Sequence, residues 1–411
     1  MTGLLEREDD LTAIAGVLAQ TRGGSGRTLL LEGPPGVGKT ALLGELTRQA
    51  ANDGYQVLRA RGSEMERDFG FGLVRQLFGP LLRALTRARR ATLFSGPAAL
   101  AAAVFGLADE GLETGAESSL YGLFWVVATL AEARPLALVV DDAHWGDAAS
   151  LRFFHYLGRR LDGLPVVTAL AARPDEPGVQ GEALRALAAD LDLATVHPAP
   201  LSAAGTATIV RDRLGAAPPE VERACHEATG GNPFLVGELL TELEASEGPV
   251  AAITPERIGT VGPERIASEA IARARRLDPR GPSLLAAVAV LGDGADLRVV
   301  AALAGVEPGA AETIVDGLAA AEILAGRTAH GFVHPLLRGA VYRDLPPARR
   351  AAMHARAAKL LAAQRAEPDA IAAHLMRCEP GAVPGAAEAL EAAAGRAADR
   401  GAPDSAATYL R

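Results

Sequence analysis

A glycine-rich stretch near the start of the chain, GPPGVGKT, has the residue types and the spacing that bind phosphate. Gly33, Gly38, Lys39 and Thr40 satisfy the pattern G-x-x-x-x-G-K-[ST], which follows an apolar run and opens a helical pattern. Glycines let backbone N–H groups turn inward around phosphate oxygens, and a helix N-terminus adds positive potential. The pattern therefore predicts a P-loop that binds ATP or ADP. The other loop residues expected to contact the nucleotide are Pro34, Pro35, Gly36, Val37 and Ala41.

Lysine is rare in this sequence, and one of the lysines stands in the P-loop. Lys39 and Lys359 are the only ones, because the rest of the 41 lysine and arginine residues are arginines. A compact ammonium group reaches the β- and γ-phosphates inside a tight loop, whereas a guanidinium is bulkier and prefers fork geometry. We therefore expect Lys39 to bind nucleotide and to act in catalysis, while Thr40 gives its hydroxyl to Mg²⁺.

Two adjacent carboxylates follow a later apolar run, in the stretch LALVVDDAHWGD. Asp141 is expected at the tip of a buried strand, where a carboxylate can hold Mg²⁺. Asp142 either orients or deprotonates the attacking water or caps the helix that follows, because aspartate suits both roles. His144 and Trp145 are expected to be structural, with Trp145 packed beneath the site.

A candidate phosphate-binding arginine ends the next apolar run, VVTALAARP. A cation at a strand end beside a P-loop can stabilise the γ-phosphate during its transfer, so Arg173 is a candidate catalytic residue. The alternative is an ordinary surface arginine, since the chain is rich in them.

Short apolar runs alternate with helical patterns across residues 28–200. The runs that predict strands lie at 28–33, 55–62, 136–140, 164–174 and 194–201. Apolar strands separated by helices indicate a parallel sheet that is covered on both faces. The predicted fold class is therefore an α/β P-loop NTPase.

Beyond residue 201 the strand signals stop and helical patterns follow. The expected units are a nucleotide-binding domain at 1–201, a helical lid and linker at 202–262, a winged helix at 263–345 and helices that begin TPR-like repeats at 346–411. The helical pattern is still running at Arg411, so we expect the natural protein to continue.

Composition excludes several classes of function. The net charge of −9 gives no bulk affinity for nucleic acid, and residues 263–345 hold 10 acidic and 9 basic side chains. Two cysteines far apart in sequence fit a reducing cytosol. The longest apolar stretches fall short of a membrane span. We therefore expect a cytoplasmic protein that binds neither membrane nor, over these residues, DNA.

The order of the motifs resembles that of a known family. An ERE box is followed by GPPGVGKT, VVDDAHWGD, LAARP, GGNPF and FVHPLLRGAVY. This sequence resembles the STAND class of AAA+-related signalling ATPases, and within it the large LuxR-type, maltose-regulator-like transcription factors. The resemblance implies the ATPase part of such a regulator without most of its C-terminal repeats and without its DNA-binding domain.

Three further site residues are implied by this resemblance. Arg7 would lie near the adenine or ribose, and Pro233, after Asn232 in GNPF, would pack on adenine. His334 would reach the β-phosphate of ADP from the winged helix. From the residues alone, GGNPF can also be a simple helix-start turn, because proline suits a first helical turn, and His334 an ordinary buried or surface histidine.

The resemblance implies a switch that ADP closes and ATP opens. An unknown inducer would act through the repeats, the ATP form would self-associate, and hydrolysis would reset the protein. Other readings remain open: the same module serving a cyclase or kinase output, a DNA-loading ATPase of the origin-initiator kind, or a scaffold that binds nucleotide without hydrolysing it.

Overall fold

The architecture is taken from a computed structural model, which begins with an α/β unit. The residues that it describes are 4–107, 115–173, 179–190, 193–215, 217–245, 254–255, 258, 271–321, 323–325, 331–333 and 335–410. The strands of the α/β unit are β1 (Arg27–Glu32), β2 (Gln56–Arg61), β3 (Leu136–Asp141), β4 (Val166–Ala172) and β5 (Ala194–Val196).

The five strands form one sheet in the order β2-β3-β4-β1-β5, and every described pairing is parallel. All residues of β3 and β4 are buried, as their unbroken apolar sequences require. The predicted α/β P-loop NTPase fold is confirmed. The fifth strand is shorter than predicted and ends at Val196, because Pro198 and Pro200 cannot donate to the ladder.

Helices cover both faces of this sheet. They are α1 (Glu8–Arg22), α2 (Lys39–Asn52), α3 (Gly72–Ala84), α4 (Arg87–Leu93), α5 (Ala116–Ala133), α6 (Ala148–Gly158) and α7 (Val179–Asp190). Along β1 the side chains alternate: Leu29 and Leu31 pack with α1 and α2, whereas Leu30 packs in the core that includes α3, α5 and α6. The carboxyl ends of β1, β3 and β4 therefore lie side by side at one edge of the sheet, between two layers of helices.

A small helical unit follows the sheet. It consists of α8 (Ala203–Leu214), α9 (Pro219–Thr229) and α10 (Pro233–Ala245). Ser202 caps α8, since its hydroxyl accepts a hydrogen bond from the backbone N–H of Gly205. The three helices share an apolar core of their own that includes Val210, Val221 and Leu239.

A second helical unit lies further along the chain. Its elements are α11 (Gly281–Leu291), α12 (Leu297–Ala304), α13 (Pro308–Ala320), β6 (Leu324–Ala325), β7 (Gly331–Phe332) and α14 (Pro335–Asp344). Strands β6 and β7 pair antiparallel. The segment between them, 326–330, lies outside the described residues, so the predicted winged helix stays a prediction. No helix in the described ranges is long and apolar enough to cross a bilayer.

The last helices dock back onto the first unit of the chain. They are α15 (Pro347–Ala363), α16 (Pro368–Leu375), α17 (Ala386–Asp399) and α18 (Pro403–Tyr409). Buried Asp369 accepts hydrogen bonds from Arg400 (2.7 Å) and from the hydroxyl of Tyr409 (3.2 Å). The same hydroxyl donates to the carbonyl of Asp68 (3.0 Å), and Arg400 reaches that of Gly70 (3.5 Å). Tyr409 and Arg400, which both contact this carboxylate, therefore join the C-terminal helices to the segment before α3.

Candidate functional site

The loop between β1 and α2 has the backbone that a P-loop needs. Gly36 and Gly38 have φ values of +84° and +107°, a region that residues with a Cβ rarely occupy. Helix α2 begins directly at Lys39, so its N-terminal N–H groups face the loop. The local sequence thus explains the turn and the position of the lysine.

The ammonium group of Lys39 lies inside this loop. Its Nζ donates to the carbonyls of Gly33 (2.6 Å) and Pro34 (2.9 Å), and only 7% of the residue is exposed. Burial lowers its pKa to about 8, and the positive charge of Arg173 adds to this, although Asp142 opposes it. A phosphate group would supply the negative charge that the buried ammonium lacks.

Thr40 and Asp141 meet at the carboxyl edge of the sheet. The Thr40 hydroxyl donates to Asp141 Oδ2 at 2.8 Å, and Oδ1 accepts the backbone N–H of Asp142 at 3.0 Å. Burial and the neighbouring Asp142 charge raise the pKa of Asp141. Hydroxyl and carboxylate oxygens are the hard ligands that Mg²⁺ prefers, so the donor pair fits this ion.

Asp142 does not cap a helix with its side chain. It precedes a short 3-10 turn, Ala143–Trp145, with φ +49° and without a side-chain capping hydrogen bond. Its Oδ2 instead accepts a hydrogen bond from Arg61 Nε at 3.1 Å. Of the two roles predicted for Asp142, the structure leaves the catalytic one open and removes the capping one.

The structural role expected for His144 and Trp145 stays a prediction. His144 is buried, and no described residue hydrogen-bonds either ring nitrogen. Burial lowers its pKa to about 3, with help from the positive charges of Arg173 and Lys39, so the ring is neutral. Trp145 is half-buried, with its ring centroid 5.1 Å from that of His144.

The structural role of Asp147 was not predicted from the sequence. Asp147 is fully buried and caps α6, because its Oδ1 accepts from the backbone of Ser150 at 2.9 Å. The same carboxylate accepts from the backbone N–H groups of Phe71 (2.8 Å) and Leu73 (3.3 Å). Asp147 thus fixes the start of α3 beside the site, and the capping pattern D-x-x-S was the available signal.

The GGNPF turn, from a distant part of the chain, contributes to the same region. The side-chain amide of Asn232 donates to the carbonyl of Pro35 at 2.8 Å, while its Oδ1 accepts from the backbone of Phe234 at 3.1 Å. The Phe234 N–H also lies 3.3 Å from the carbonyl of Gly36. GGNPF is therefore a helix-start turn that also contacts the P-loop directly.

A cavity of about 430 Å³ opens between the P-loop and the start of α10. Its volume falls within the range of small-molecule sites, about 300–1,000 Å³. The lining residues are Pro35, Gly36, Gly38, Lys39, Thr40, Ala41, Asp142, Arg173, Pro233 and Phe234. Most of the predicted nucleotide-binding residues thus surround one space.

Arg7 stabilises the P-loop through hydrogen bonds to backbone carbonyls. Its Nη2 donates to the carbonyls of Val37 (3.0 Å) and Ala199 (2.7 Å), and the residue is buried. Arg7 therefore joins the P-loop to the segment that leads into α8, and its contact with adenine or ribose stays a prediction. His334 lies outside the described residues, so its contact with ADP is likewise a prediction.

Replacing Gly36 with Ala, beside a control at Gly38, should distinguish the effect of the close contact with Asn232 from the effect of backbone strain. An added Cβ would lie 2.5 Å from Asn232 Oδ1, in addition to the cost of about 1–3 kcal/mol for a positive φ. Gly38→Ala is the matched control, because its φ is also positive but no atom lies within 4 Å of the added Cβ. We expect a larger fall in Tm for Gly36→Ala in thermal unfolding. Equal falls would mean that the Asn232 contact yields without cost.

Comparison with known proteins agrees with this geometry. Residues 3–170 match the AAA ATPase domain. The predicted AAA+-related ATPase module is thereby confirmed, whereas the LuxR-type regulator stays a prediction. The match covers the P-loop, both carboxylates and most of β4. No curated protein sequence matched the chain.

Solved structures show likeness in fold. A Signal Transduction ATPase with Numerous Domains (STAND) protein with a tetratricopeptide repeat sensor, from Pyrococcus horikoshii, is 15% identical with a TM-score of 0.51. That match covers all of this chain, which spans 58% of the other protein's length. The Orc1 protein of Aeropyrum pernix, solved in complex with DNA, matches 84% of this chain and 94% of its own at 17% identity. Its TM-score of 0.38 supports no inference about function.

Proposed function

We propose that this chain is a Mg²⁺-dependent ATPase switch that binds ATP and ADP between the P-loop and α10. The observation that carries the proposal is the hydrogen bond from Thr40 to Asp141 beside buried Lys39. The Thr40 hydroxyl and the Lys39 ammonium line the cavity, and the Asp141 carboxylate is bonded to that hydroxyl. Mg²⁺ bound there would neutralise charge on the β- and γ-phosphates.

Each side chain has a distinct role in the proposed reaction. Lys39 exchanges its loop carbonyls for phosphate oxygens, and Thr40 with Asp141 holds the ion. Asp142 orients or deprotonates the attacking water, and Arg173 stabilises the transferring phosphoryl group. Pro233 lines the cavity, in support of its proposed packing against the adenine.

The contact between the two units supports a switch. Because Asn232 bonds the P-loop carbonyl of Pro35, a nucleotide that moves the loop also changes the docking of α10. A ligand shifts such an equilibrium only through different affinities for the two states. We infer an ADP-closed and an ATP-open form that self-associates, in a slow regulatory cycle within a LuxR-type transcriptional regulator answering an unknown inducer. The domain limits at 201, 262 and 345 belong to the same proposal.

The first experiment identifies the resident nucleotide and then measures turnover. Protein purified without added nucleotide is denatured, and the released compound is identified by ion-exchange chromatography. We expect stoichiometric ADP, followed by slow release of phosphate from added ATP that requires Mg²⁺ and stops with EDTA. An empty site that exchanges ATP freely would contradict the ADP-closed form. Tight ATP binding without turnover would instead show a non-hydrolysing scaffold.

A further inference from the structure

Asp142 stands between two spaces that belong to different parts of the protein. On one side it lines the cavity of the proposed nucleotide site, together with Lys39. On the other side it lines a small pocket shared with Arg61, Asp293 and Phe332. Asp293 and Phe332 belong to the second helical unit, so one carboxylate faces both the nucleotide cavity and an interface.

Arg61 connects the carboxylates of the two units. Its Nε donates to Asp142 Oδ2 at 3.1 Å, and its Nη1 lies 3.5 Å from Asp293 Oδ2. The residue ends β2, where it pairs in register with Asp141 of β3. Its backbone N–H is held by the side chain of Gln76 at 3.0 Å. The guanidinium is thus anchored on the sheet and bridges to a loop that comes after α11.

Close backbone packing fixes both ends of this bridge. A Cβ on Gly62 would lie 2.1 Å from the carbonyl oxygen of Asp142, so the end of β2 can approach this residue only as glycine. A Cβ on Gly331 would lie 2.6 Å from Asp293 Oδ1, which places β7 directly against that carboxylate. The bridge therefore exists only while the second helical unit is docked on the sheet.

We propose that Arg61 is a positioning residue for the ATP hydrolysis inferred above, and that Asp293 keeps it in place. Arg61 occupies Asp142 Oδ2, whereas Oδ1 lies 4.0 Å from His144 Nε2 and accepts no hydrogen bond from a side chain in the described ranges. The fixed carboxylate therefore keeps one oxygen for the attacking water. This inference rests on the proposed function and adds a link to it. Hydrolysis is fast only when the ATP form docks the second helical unit again, and this step returns the switch to its ADP-closed form.

Unlike an ordinary surface ion pair, the bridge through Arg61 orients a proposed catalytic group, the Asp142 carboxylate. The Arg61–Asp293 pair, whose side chains are 38% and 32% accessible, adds little stability. Asp142, in contrast, is buried and pairs with Arg61, so removing Arg61 leaves a buried carboxylate without this partner. Small displacements of a catalytic group, however, can slow a reaction about a hundredfold. We therefore expect loss of Asp293 to affect turnover and not the melting temperature, whereas Arg61→Ala should lower both.

The test compares four variants in steady-state ATP turnover with Mg²⁺. Arg61→Ala should lower kcat about tenfold to a hundredfold with little change in KM, and Arg61→Lys should restore part of the loss. Asp293→Asn should lower kcat about twofold to fivefold, because one weak ion pair is lost. Asp296→Asn is the matched control in the same loop, because asparagine can still cap α12 and the carboxylate pairs with Arg298 of the same helix. Its kcat should equal that of the wild type.

The outcomes separate this inference from the proposed function. A wild-type chain without turnover would overturn the proposed hydrolysis itself. If the wild type turns over, an unchanged or faster Arg61→Ala enzyme would overturn the positioning role, as would a change confined to KM. A loss of kcat in Asp296→Asn equal to that in Asp293→Asn would show a general effect of the loop and overturn the link. Thermal unfolding of each variant checks that it is folded.

Discussion

Replacing Lys39 with Ala should abolish tight nucleotide binding. The ammonium is buried, and two loop carbonyls satisfy it only until a phosphate arrives. Removing one partner of a buried charge-assisted contact costs about 2–5 kcal/mol, which corresponds to a Kd raised roughly thirtyfold to several-thousandfold. Isothermal titration with ADP and ATP measures the change directly.

The second lysine, Lys359, provides a matched control for the loss of a positive charge. Lys359 lies exposed on α15, so Lys359→Ala removes the same charge far from the loop and should leave Kd unchanged. Lys39→Arg keeps the charge but adds a planar group that the tight loop does not fit, and we expect weak binding. Undiminished affinity in Lys39→Ala would refute the site.

Replacing Asp142 with Asn should stop hydrolysis while nucleotide still binds. The amide keeps the size of the side chain and can still accept from Arg61, but it no longer takes a proton or orients water as a carboxylate does. General-base groups contribute about a hundredfold to ten-thousandfold, and we expect kcat to fall within that range. The Kd for ADP should change little, because Lys39 and Thr40 remain.

The specificity of this effect is tested by a second aspartate at the other end of the sheet. Asp162 is exposed in the turn before β4, so Asp162→Asn should keep full turnover. Asp141→Asn should differ from both by raising the Mg²⁺ concentration needed for half-maximal rate. If Asp142→Asn hydrolyses ATP at the wild-type rate, water must be oriented by another group.

Local patterns were sufficient for the sheet and for the loop around Lys39. The P-loop depends on spacing within eight residues, and β3 and β4 are unbroken apolar runs, so both can be predicted from neighbouring residues alone. The limit of β5 was misjudged because the apolar pattern continues through Pro198 and Pro200, which cannot pair. Backbone donors, not hydrophobicity, decided where that strand ends.

Contacts between distant residues could not be predicted in this way. Arg61 looked like any polar position of an edge strand, and nothing in the sequence brings it to Asp293, 232 positions later. The carboxylate of Asp369 likewise reads as an ordinary first-turn helix residue, although it is buried with Arg400. Such pairs depend on how whole units dock, which short-range periodicity does not encode.

The docking of the C-terminal helices has a consequence for the order of folding. Tyr409 and Arg400 bind the carbonyls of Asp68 and Gly70 across 341 and 330 positions of sequence. Contacts so far apart add loop-closure entropy and form late. During synthesis at about 5–20 residues per second, the segment before α3 waits roughly 15 to 65 seconds for these partners. The lining of the nucleotide cavity ends at Phe234, so the proposed site is fully synthesised well before that interval ends.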